Sequence, residues 1–389
     1  MTGPSRAGVP AAIREPRARP LRVCLAGTWD PDFSRNQILL RLLALAGCEI
    51  SVCRSELWGE RADAVVRRGK LGLALRAPGA YARLAWRFVR AERPDVVLVP
   101  YPGHFDMPLL APLARARGLP LVFDAFLSLY DTVVADRGLL DARSAGGRAL
   151  RAVDALACRA ADLVLADTPA HADYLAELSG VPRERFRVLW VGAREEVFRP
   201  LAGVEPDPSL VLFYGTFIPL HGLETIVRAA AALEPDGFRV RIIGRGQESE
   251  RIDRLAAELG ARNLERVPSV PLEALPGEIA RAGVCLGIFG TTGKADRVLP
   301  NKLFECLAVG RPVVTGDTTA VRASFGPGEL VTVAPGDPVA LAAAIRALRA
   351  DPAARERVAA AGHARFQRDF GERVLARLLR GHLEELVAR

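Results

Sequence analysis

Short apolar runs alternate with longer amphipathic segments along most of the chain. The first cycle runs from an apolar strand at 21–26, through a turn at Gly27 and a helical pattern at 36–46, to a second strand at 49–53. Short buried strands separated by helices indicate a parallel sheet built from βαβ units. The alternation pauses in a proline-rich stretch, 198–208, and then restarts. The pattern therefore predicts an α/β protein with two Rossmann-like domains.

The same pattern divides the chain into four parts. We predict a disordered basic tail over 1–20, an N-terminal Rossmann-like domain over 21–200, a C-terminal Rossmann-like domain over 201–370 and a last helix over 371–389. The last helix is expected to cross back to the N-terminal domain. A chain of 389 residues is too long for one hydrophobic core, which also favours two domains.

Composition is that of an ordinary globular protein, with half of the residues apolar and a quarter charged. No apolar run approaches the roughly 20 residues of a membrane-spanning helix, and the basic tail has no apolar core of a secretory signal. The six cysteines include no C-x-x-C pair and mostly lie in apolar patterns, as buried reduced thiols do. We therefore expect a cytoplasmic protein.

The net charge of +8 is concentrated in one N-terminal segment. Residues 61–93 hold nine Arg or Lys against two acidic residues, so the remainder is close to neutral and nucleic-acid binding is not expected. Within 79–93, apolar positions share one helical face and arginines the other. This pattern is typical of a surface helix on a core, and also of a helix lying on anionic lipid. The second alternative predicts peripheral contact with the inner face of a membrane through Arg67, Arg68, Lys70, Arg83, Arg87 and Arg90.

The stretch 297–310 carries the strongest chemical signal. Pro300 suits the first turn of a helix, and Gly310 suits the position just past its end. Lys302 and Glu305 share the face opposite the apolar side chains. A helix N-terminus after a strand can hold phosphate, and a carboxylate one turn later can accept hydrogen bonds from ribose hydroxyls. The alternative is an ordinary solvated lysine–glutamate pair.

Polar and aromatic side chains follow several of the predicted strands. The segment 124–131 comes directly after a strand, where it could bind a ligand or cap the next element, and we favour binding. Asp30 and Asp32 could form a metal pair, but two carboxylates around a proline are more often turn residues, so no metal is predicted. No Ser-His-Asp or Cys-His constellation stands out, and His171 and His363 are expected at the surface.

Several motifs of the second half stand in a characteristic order. They are Phe213-Tyr214-Gly215 with His221-Gly222-Leu223, then Ile243-Gly244-Arg245-Gly246, and finally Pro300-Asn301-Lys302-Leu303-Phe304-Glu305 through Gly310-Arg311-Pro312-Val313-Val314. In this order they resemble the C-terminal domain of family-4-type retaining glycosyltransferases. The resemblance implies the GT-B fold, in which two Rossmann-like domains face each other across a cleft. The resemblance is firm over residues 160–316 and looser in the N-terminal domain.

The resemblance implies a function. It predicts a metal-independent glycosyltransferase of the hexosyltransferase class, which moves a sugar with retention from a nucleoside-diphosphate sugar to a glycan, lipid-linked or small-molecule acceptor. The N-terminal domain would bind the acceptor and the C-terminal domain would bind the donor, with UDP or GDP as the expected nucleotide. No cofactor is expected beside the donor.

In this family the carboxylate at the Glu305 position holds the ribose, and the helix N-terminus, here 301–303, meets the diphosphate. Two basic diphosphate ligands are usual in the family, but Thr216 and His221 stand at their positions. A subgroup places a lysine at the Lys302 position instead. The resemblance therefore assigns the diphosphate to Lys302.

Two further departures concern the transferred sugar. Arg297 stands where the family has a glutamate that contacts the donor sugar, and Phe126 stands where an N-terminal histidine is common. Arg245 or Arg297 is expected to assist at the diphosphate.

The complete candidate site has three groups of residues. The catalytic group is Lys302, Glu305, Arg297 and Asp124. The donor-binding group is Gly215, Thr216, His221, Arg245, Lys294, Asn301, Lys302, Leu303 and Glu305. The acceptor-binding group is Trp29, Arg35, His104, Asp106, Tyr130 and Asp131.

Two other functions fit the same architecture. A sugar-nucleotide epimerase of the GT-B type needs a donor but no acceptor, so product analysis separates it from a transferase. A non-catalytic relative would bind a nucleotide sugar, or a membrane through the basic segment, without turnover.

Overall fold

The computed structural model describes residues 19–57 and 70–389, and in the second range it describes side chains from residue 76 onward. The predicted tail lies outside the described residues up to position 18, as do Arg67 and Arg68 of the predicted lipid contact.

The first sheet has six parallel strands in the order β2-β1-β3-β4-β5-β6. Its central strands are rich in Val and Leu and are buried on both faces, as parallel strands covered by helices are. The strands are β1 Arg22–Gly27, β2 Glu49–Arg54, β3 Val96–Val99, β4 Leu121–Asp124, β5 Leu163–Ala166 and β6 Phe186–Val188. The helices of this domain are α1 Ser34–Leu45, α2 Lys70–Arg90, α3 Met107–Ala116, α4 Ala145–Ala160 and α5 Pro169–Ser179.

The second sheet also has six parallel strands, in the order β12-β11-β10-β7-β8-β9. The strands are β7 Asp207–Tyr214, β8 Arg239–Ile243, β9 Leu264–Val267, β10 Ala282–Leu286, β11 Val313–Gly316 and β12 Val331–Val333. The helices are α6 Leu223–Leu233, α7 Ser249–Leu259, α8 Leu275–Arg281, α9 Gly293–Arg297, α10 Asn301–Val309, α11 Thr319–Ser324, α12 Pro338–Ala350, α13 Pro352–Arg365 and α14 Glu372–Val387. The predicted fold of two Rossmann-like domains is confirmed.

The last helix, α14, returns to the N-terminal domain and packs against α1. Leu375, Leu379 and Leu383 are its buried face. Arg380 adds a polar contact, because its Nη1 donates a hydrogen bond of 2.6 Å to the carbonyl of Ala46. The expected crossing of the C-terminal helix is confirmed.

The two domains meet at the carboxyl ends of their sheets. A one-turn π-helix, Asp131–Asp136, follows β4 and contacts α9, which follows β10. Ligands of doubly wound sheets bind beyond the carboxyl ends of the strands, so this meeting place is where a site is expected. In the part of the chain that the structure describes, no helix is long and apolar enough to cross a membrane.

Candidate active site

Helix α10 begins beside the end of strand β7. Pro300 is its N-cap with extended backbone, and Gly310 ends it in the left-handed conformation at φ +82°. Leu303 and Phe304 are buried and anchor the helix in the domain core. The anchored first turn lies against Tyr214, the last residue of β7. The predicted helix is confirmed, with Pro300 one position before the helix instead of in its first turn.

Lys302 carries a buried ammonium with no hydrogen-bond partner among the described residues. Its side chain is almost fully buried, and Nζ lies 3.9 Å from the centre of the Phe213 ring. Burial lowers the pKa of Lys302 to about 7. A buried charge without a partner is costly and is rarely retained without a ligand or a function. The alternative of a solvated lysine–glutamate pair is therefore wrong, and a group placed in this way could receive an anion.

Gly215 makes room for this ammonium. It follows β7 with φ +139°, and a Cβ there would lie 3.0 Å from Lys302 Nζ and 3.2 Å from His221 Cε1. His221 Nδ1 donates a hydrogen bond to the carbonyl of Thr216. Burial, followed by the charge of Lys302, holds the pKa of His221 well below its usual range. His221 is therefore a neutral imidazole, and Lys302 is the neighbour that can carry a positive charge at this point.

Glu305 lies one turn after Lys302 on α10 and is half-buried. Its Oε2 accepts a hydrogen bond of 2.7 Å from the Tyr214 hydroxyl. Burial raises the pKa of Glu305, whereas the Tyr214 hydrogen bond and the charge of Lys302 lower it. Sequence reasoning missed this role of Tyr214, although its position at the end of a strand next to Gly215 is the signal that could have found it. The structure thus brings together Gly215, His221, Lys302 and Glu305.

Arg297 and Lys294 of α9 are engaged by the N-terminal domain. Arg297 Nη2 lies 2.7 Å from Asp131 Oδ1, and its guanidinium lies 4.1 Å from the centre of the Tyr174 ring. Lys294 Nζ donates a hydrogen bond of 2.8 Å to Thr132 Oγ1. The expectation that Arg297 and Lys294 serve the donor is not supported by these contacts, which instead join the two domains.

Asp124 and Arg35 form a buried salt bridge within the N-terminal domain. Arg35 Nε and Nη2 donate to the two Asp124 oxygens at 2.9 and 2.8 Å, and Nη1 donates to the carbonyls of Leu189 and Trp190. Both side chains are at most 1% exposed. The expectation of a catalytic Asp124 and an acceptor-binding Arg35 is corrected, because each side chain is occupied by the other and closed to solvent.

Three other residues predicted to bind the acceptor also point inward. Asp106 accepts hydrogen bonds from Thr28 N–H at 2.7 Å and Oγ1 at 2.9 Å, and burial raises the pKa of Asp106 to about 6. His104 is buried, with Nε2 3.4 Å from an Asp154 oxygen. Trp29 is buried beneath the Arg54 guanidinium. These residues line the predicted edge of the sheet but are not presented to an acceptor.

The segment after β4 is held by Asp154, which sequence reasoning did not single out. Its carboxylate accepts hydrogen bonds from Ser128 Oγ at 2.6 Å and from the Tyr130 N–H at 2.9 Å. The capping alternative therefore explains the backbone of this segment, because Asp154 accepts its hydrogen bonds. Tyr130 keeps a half-buried ring beneath the Arg151 guanidinium, while Asp131 is committed to the contact between the domains.

The remaining donor candidates are Thr216, Arg245, Asn301 and Leu303. Thr216 and Arg245 are exposed. Asn301 Nδ2 donates a hydrogen bond of 3.2 Å to Ser34 Oγ of the N-terminal domain. Leu303 is buried, and its N–H donates to the Pro300 carbonyl at 3.0 Å, so it is an anchor of the helix.

Two minor expectations have clear outcomes. His171 is buried, contrary to the prediction of a surface residue, and its Nδ1 lies 2.6 Å from Asp167 Oδ1. His363 is half-buried, with Nδ1 2.9 Å from the Leu307 carbonyl. Asp30 Oδ1 accepts a hydrogen bond of 2.9 Å from the Asp32 N–H, which is the expected turn.

Family models match both halves of the chain. A model described as glycosyl transferase 4-like domain matches residues 34–192, and one described as glycosyl transferase-like matches residues 223–380. The lipopolysaccharide core biosynthesis glycosyltransferase LpsD of Rhizobium meliloti is 32% identical over 176 residues, which are 43% of this chain and 47% of LpsD. A D-inositol 3-phosphate glycosyltransferase of Thermomonospora curvata is 30% identical over 237 residues, or 54% of each chain. The chain therefore matches about half the length of these relatives.

Solved structures share the whole fold at low sequence identity. Sucrose-phosphate synthase from Thermosynechococcus elongatus has a TM-score of 0.75 at 19% identity, covering 95% of this chain and 100% of that chain. HepE of Anabaena, in its complex with UDP-glucose, has a TM-score of 0.69 at 14% identity, covering 94% and 99%. One family model matches most of the N-terminal domain and the other matches most of the C-terminal domain, and the solved structures contain both domains together. The chain belongs to the family-4-type glycosyltransferases with the GT-B fold.

Proposed function

We propose that this protein is a glycosyltransferase that moves a sugar from a nucleoside-diphosphate sugar to an acceptor hydroxyl, and that the nucleotide of the donor is UDP. The observation that carries the proposal is the buried, unpartnered ammonium of Lys302 at the N-terminus of α10. A cation and a helix N-terminus that meet at one point favour a phosphate group. The complex of the structurally similar HepE with UDP-glucose supports the choice of donor.

The chemistry follows from where charge develops. When the bond between the anomeric carbon and the diphosphate oxygen breaks, that oxygen keeps the electron pair and becomes more negative. Lys302 then strengthens its contact, which is how a preorganised charge lowers a barrier. The acceptor oxygen bonds to the anomeric carbon, and its proton passes to the leaving diphosphate. Retention and independence from a metal are part of the proposal, as is a role for Glu305 in holding the ribose.

The first experiment is a thermal-shift panel with UDP, GDP, ADP and dTDP. A nucleotide at 100 times its dissociation constant adds about 2.7 kcal/mol to the free energy of unfolding, so the nucleotides can be ranked by the shift they cause.

Lys302→Ala should lower kcat/KM by an amount that corresponds to about 2–4 kcal/mol of lost transition-state stabilisation, as removal of one preorganised electrostatic group does. Lys302→Arg should recover part of this loss.

His221→Ala is the control for this experiment, because the neutral His221 imidazole lies beside Lys302 but supplies no charge. Near-normal turnover of Lys302→Ala combined with loss of turnover in His221→Ala would sink the assignment. Product analysis with and without an acceptor distinguishes a transferase from an epimerase, which converts the donor alone.

We also propose that helix α2 rests on the anionic, cytoplasmic face of a membrane. Trp86 and Val89 are 58% and 57% exposed on this helix, and the Arg90 guanidinium lies 4.6 Å from the centre of the Trp86 ring. Arg83 and Arg87 flank the same exposed side. An aromatic residue surrounded by arginines suits the boundary between headgroups and acyl chains.

A further inference from the structure

Tyr214 is buried at the end of β7, and its hydroxyl reaches the first turns of α10. The hydroxyl oxygen lies 2.7 Å from Glu305 Oε2, 3.3 Å from the Lys302 carbonyl oxygen and 3.7 Å from Cys306 Sγ. The last residue of β7 thus meets the polar face of the helix through its phenol. This contact is internal to the C-terminal domain and does not depend on how the domains are arranged.

The Tyr214 hydroxyl has a single proton, so its main hydrogen bond goes to one of these neighbours. Hydrogen bonds to carboxylates are shorter and stronger than those to neutral acceptors, and the Glu305 contact is the shortest of the three. Burial raises the pKa of Tyr214 well above its usual range, so the phenol keeps its proton at neutral pH. Tyr214 is therefore a donor to Glu305.

The hydrogen bond affects both the charge and the direction of Glu305. Burial raises the pKa of this carboxyl, and the Tyr214 hydrogen bond is the largest influence that lowers it. Because Tyr214 occupies Oε2, the other oxygen, Oε1, remains available, and it has no hydrogen bond among the described residues. An ionised carboxylate with one free oxygen suits a pair of vicinal hydroxyls, each of which donates a hydrogen bond.

We propose that Tyr214 is a positioning residue that holds Oε2 of Glu305 and leaves Oε1 turned toward the ribose hydroxyls of the nucleotide. The inference rests on the proposed function, in which Glu305 holds the ribose. Tyr214 itself touches no substrate in this account.

Tyr214→Phe removes one oxygen atom and preserves the ring in the core. The variant should bind UDP about tenfold more weakly, a change of 1.4 kcal/mol, while its affinity for inorganic pyrophosphate stays unchanged. Because Glu305 loses the hydrogen bond that lowers its pKa, UDP affinity should fall away at a higher pH on acidification than in the wild type. A role in packing alone would move neither the ratio of the two affinities nor this pH midpoint.

Tyr81→Phe is the matched control, since it removes a half-buried phenol oxygen from the other domain. Glu305→Gln provides a second route if Tyr214→Phe proves unstable. It should lose the acid midpoint of UDP binding, and Tyr214→Phe added to it should cause little further loss. Equal UDP affinity and the same pH midpoint in wild type and Tyr214→Phe would overturn the positioning role.

The wild-type measurements separate this result from a failure of the proposed function. If the wild type binds neither UDP nor pyrophosphate, the diphosphate site proposed at Lys302 is wrong, and the positioning role fails with it. If the wild type binds both ligands and Lys302→Ala loses both, the site stands, and the Tyr214 variants alone decide the inference.

Discussion

Lys302 combines a structural cost with a chemical use. In the unliganded protein its ammonium is buried without a hydrogen-bond partner among the described residues. A buried polar group left unsatisfied costs about 1–3 kcal/mol, and a charged one costs more. Residues that serve a site at the expense of stability are common in enzymes, because the ligand removes the cost when it binds. The same argument predicts that removal of the ammonium stabilises the unliganded protein but weakens the binding of UDP.

Lys302→Met should raise the melting temperature of the unliganded protein and abolish the shift caused by UDP. Methionine fills a similar volume without a charge, so we expect a gain of about 1–3 kcal/mol in the free energy of unfolding. Differential scanning fluorimetry with and without UDP measures both effects. Arg254→Met, at an exposed position of α7, is the control and should change neither. A destabilised Lys302→Met protein would show that the ammonium has a partner in solution.

The pKa of Lys302 gives this residue a dependence on pH. The folded-state value of about 7 lies below the ordinary value of 10.5, so between these limits the unfolded chain binds more protons than the folded one. Stability of the wild type should therefore rise with pH across this window, and Lys302→Met should lack that rise. UDP affinity should fall as pH rises above 7, because the diphosphate needs the protonated lysine.

At the level of elements, sequence patterns predicted those features that depend on neighbouring residues in the chain. The helix from Asn301 to Val309 is an example, since a proline before it and a glycine after it act locally. The burial of Lys302 was not predictable in this way, because it depends on Phe213 and Gly215 of another element. The sequence predicted an anion site here as one of two alternatives, and the burial of Lys302 that favours it came from the structure.

The N-terminal candidates show the opposite case. Asp124 lies at the carboxyl end of β4, at the edge where ligands bind, and this position alone made it a catalytic candidate. Its partner Arg35 lies in α1, 89 residues earlier, and no local pattern reveals that the two side chains saturate each other. Charged residues at the carboxyl ends of strands thus divide between ligand binding and the internal support of loops, and only tertiary contacts separate the two.

Helix α2 carries a prediction of its own. Trp86→Ser combined with Arg90→Ser should reduce flotation with vesicles that contain anionic lipid, since both apolar area and charge are lost. Wild-type binding should fade with salt, because exposed charges are screened over about 10 Å at 0.1 M. Leu156→Ser on α4, another exposed apolar position, is the control. Equal flotation with neutral and anionic vesicles would contradict the proposal, as would unchanged binding of the double variant.

At the scale of the whole molecule, polar contacts hold the two domains together at the cleft. The first contact is the salt bridge between Arg297 and Asp131. Lys294 also donates a hydrogen bond to Thr132, and Thr292 donates one of 3.2 Å to an Asp136 oxygen. Relative motion of domains is the usual expectation where polar contacts of this kind join them. In the proposed function, the cleft opens to admit a donor and closes to exclude water during transfer.

Arg297→Ala should therefore shift the unliganded protein toward an open form. The variant loses both the contact with Asp131 and the stacking on Tyr174. Hydrogen bonds to charged groups contribute about 1.5–3 kcal/mol, which is enough to change the populations of two states severalfold or more. Small-angle X-ray scattering should show a larger radius of gyration without UDP and a smaller difference from the wild type with it.

The role of the pair can be separated from that of either residue. Asp131→Ala should cause the same expansion, and the double variant should add little, because both changes break one contact. Arg322→Ala, which alters an exposed arginine of α11, should leave the scattering curve unchanged. If both single variants scatter like the wild type, the contact between α9 and the segment after β4 does not set the opening of the cleft. Arg297 would then be free to act on the donor, as the sequence first suggested.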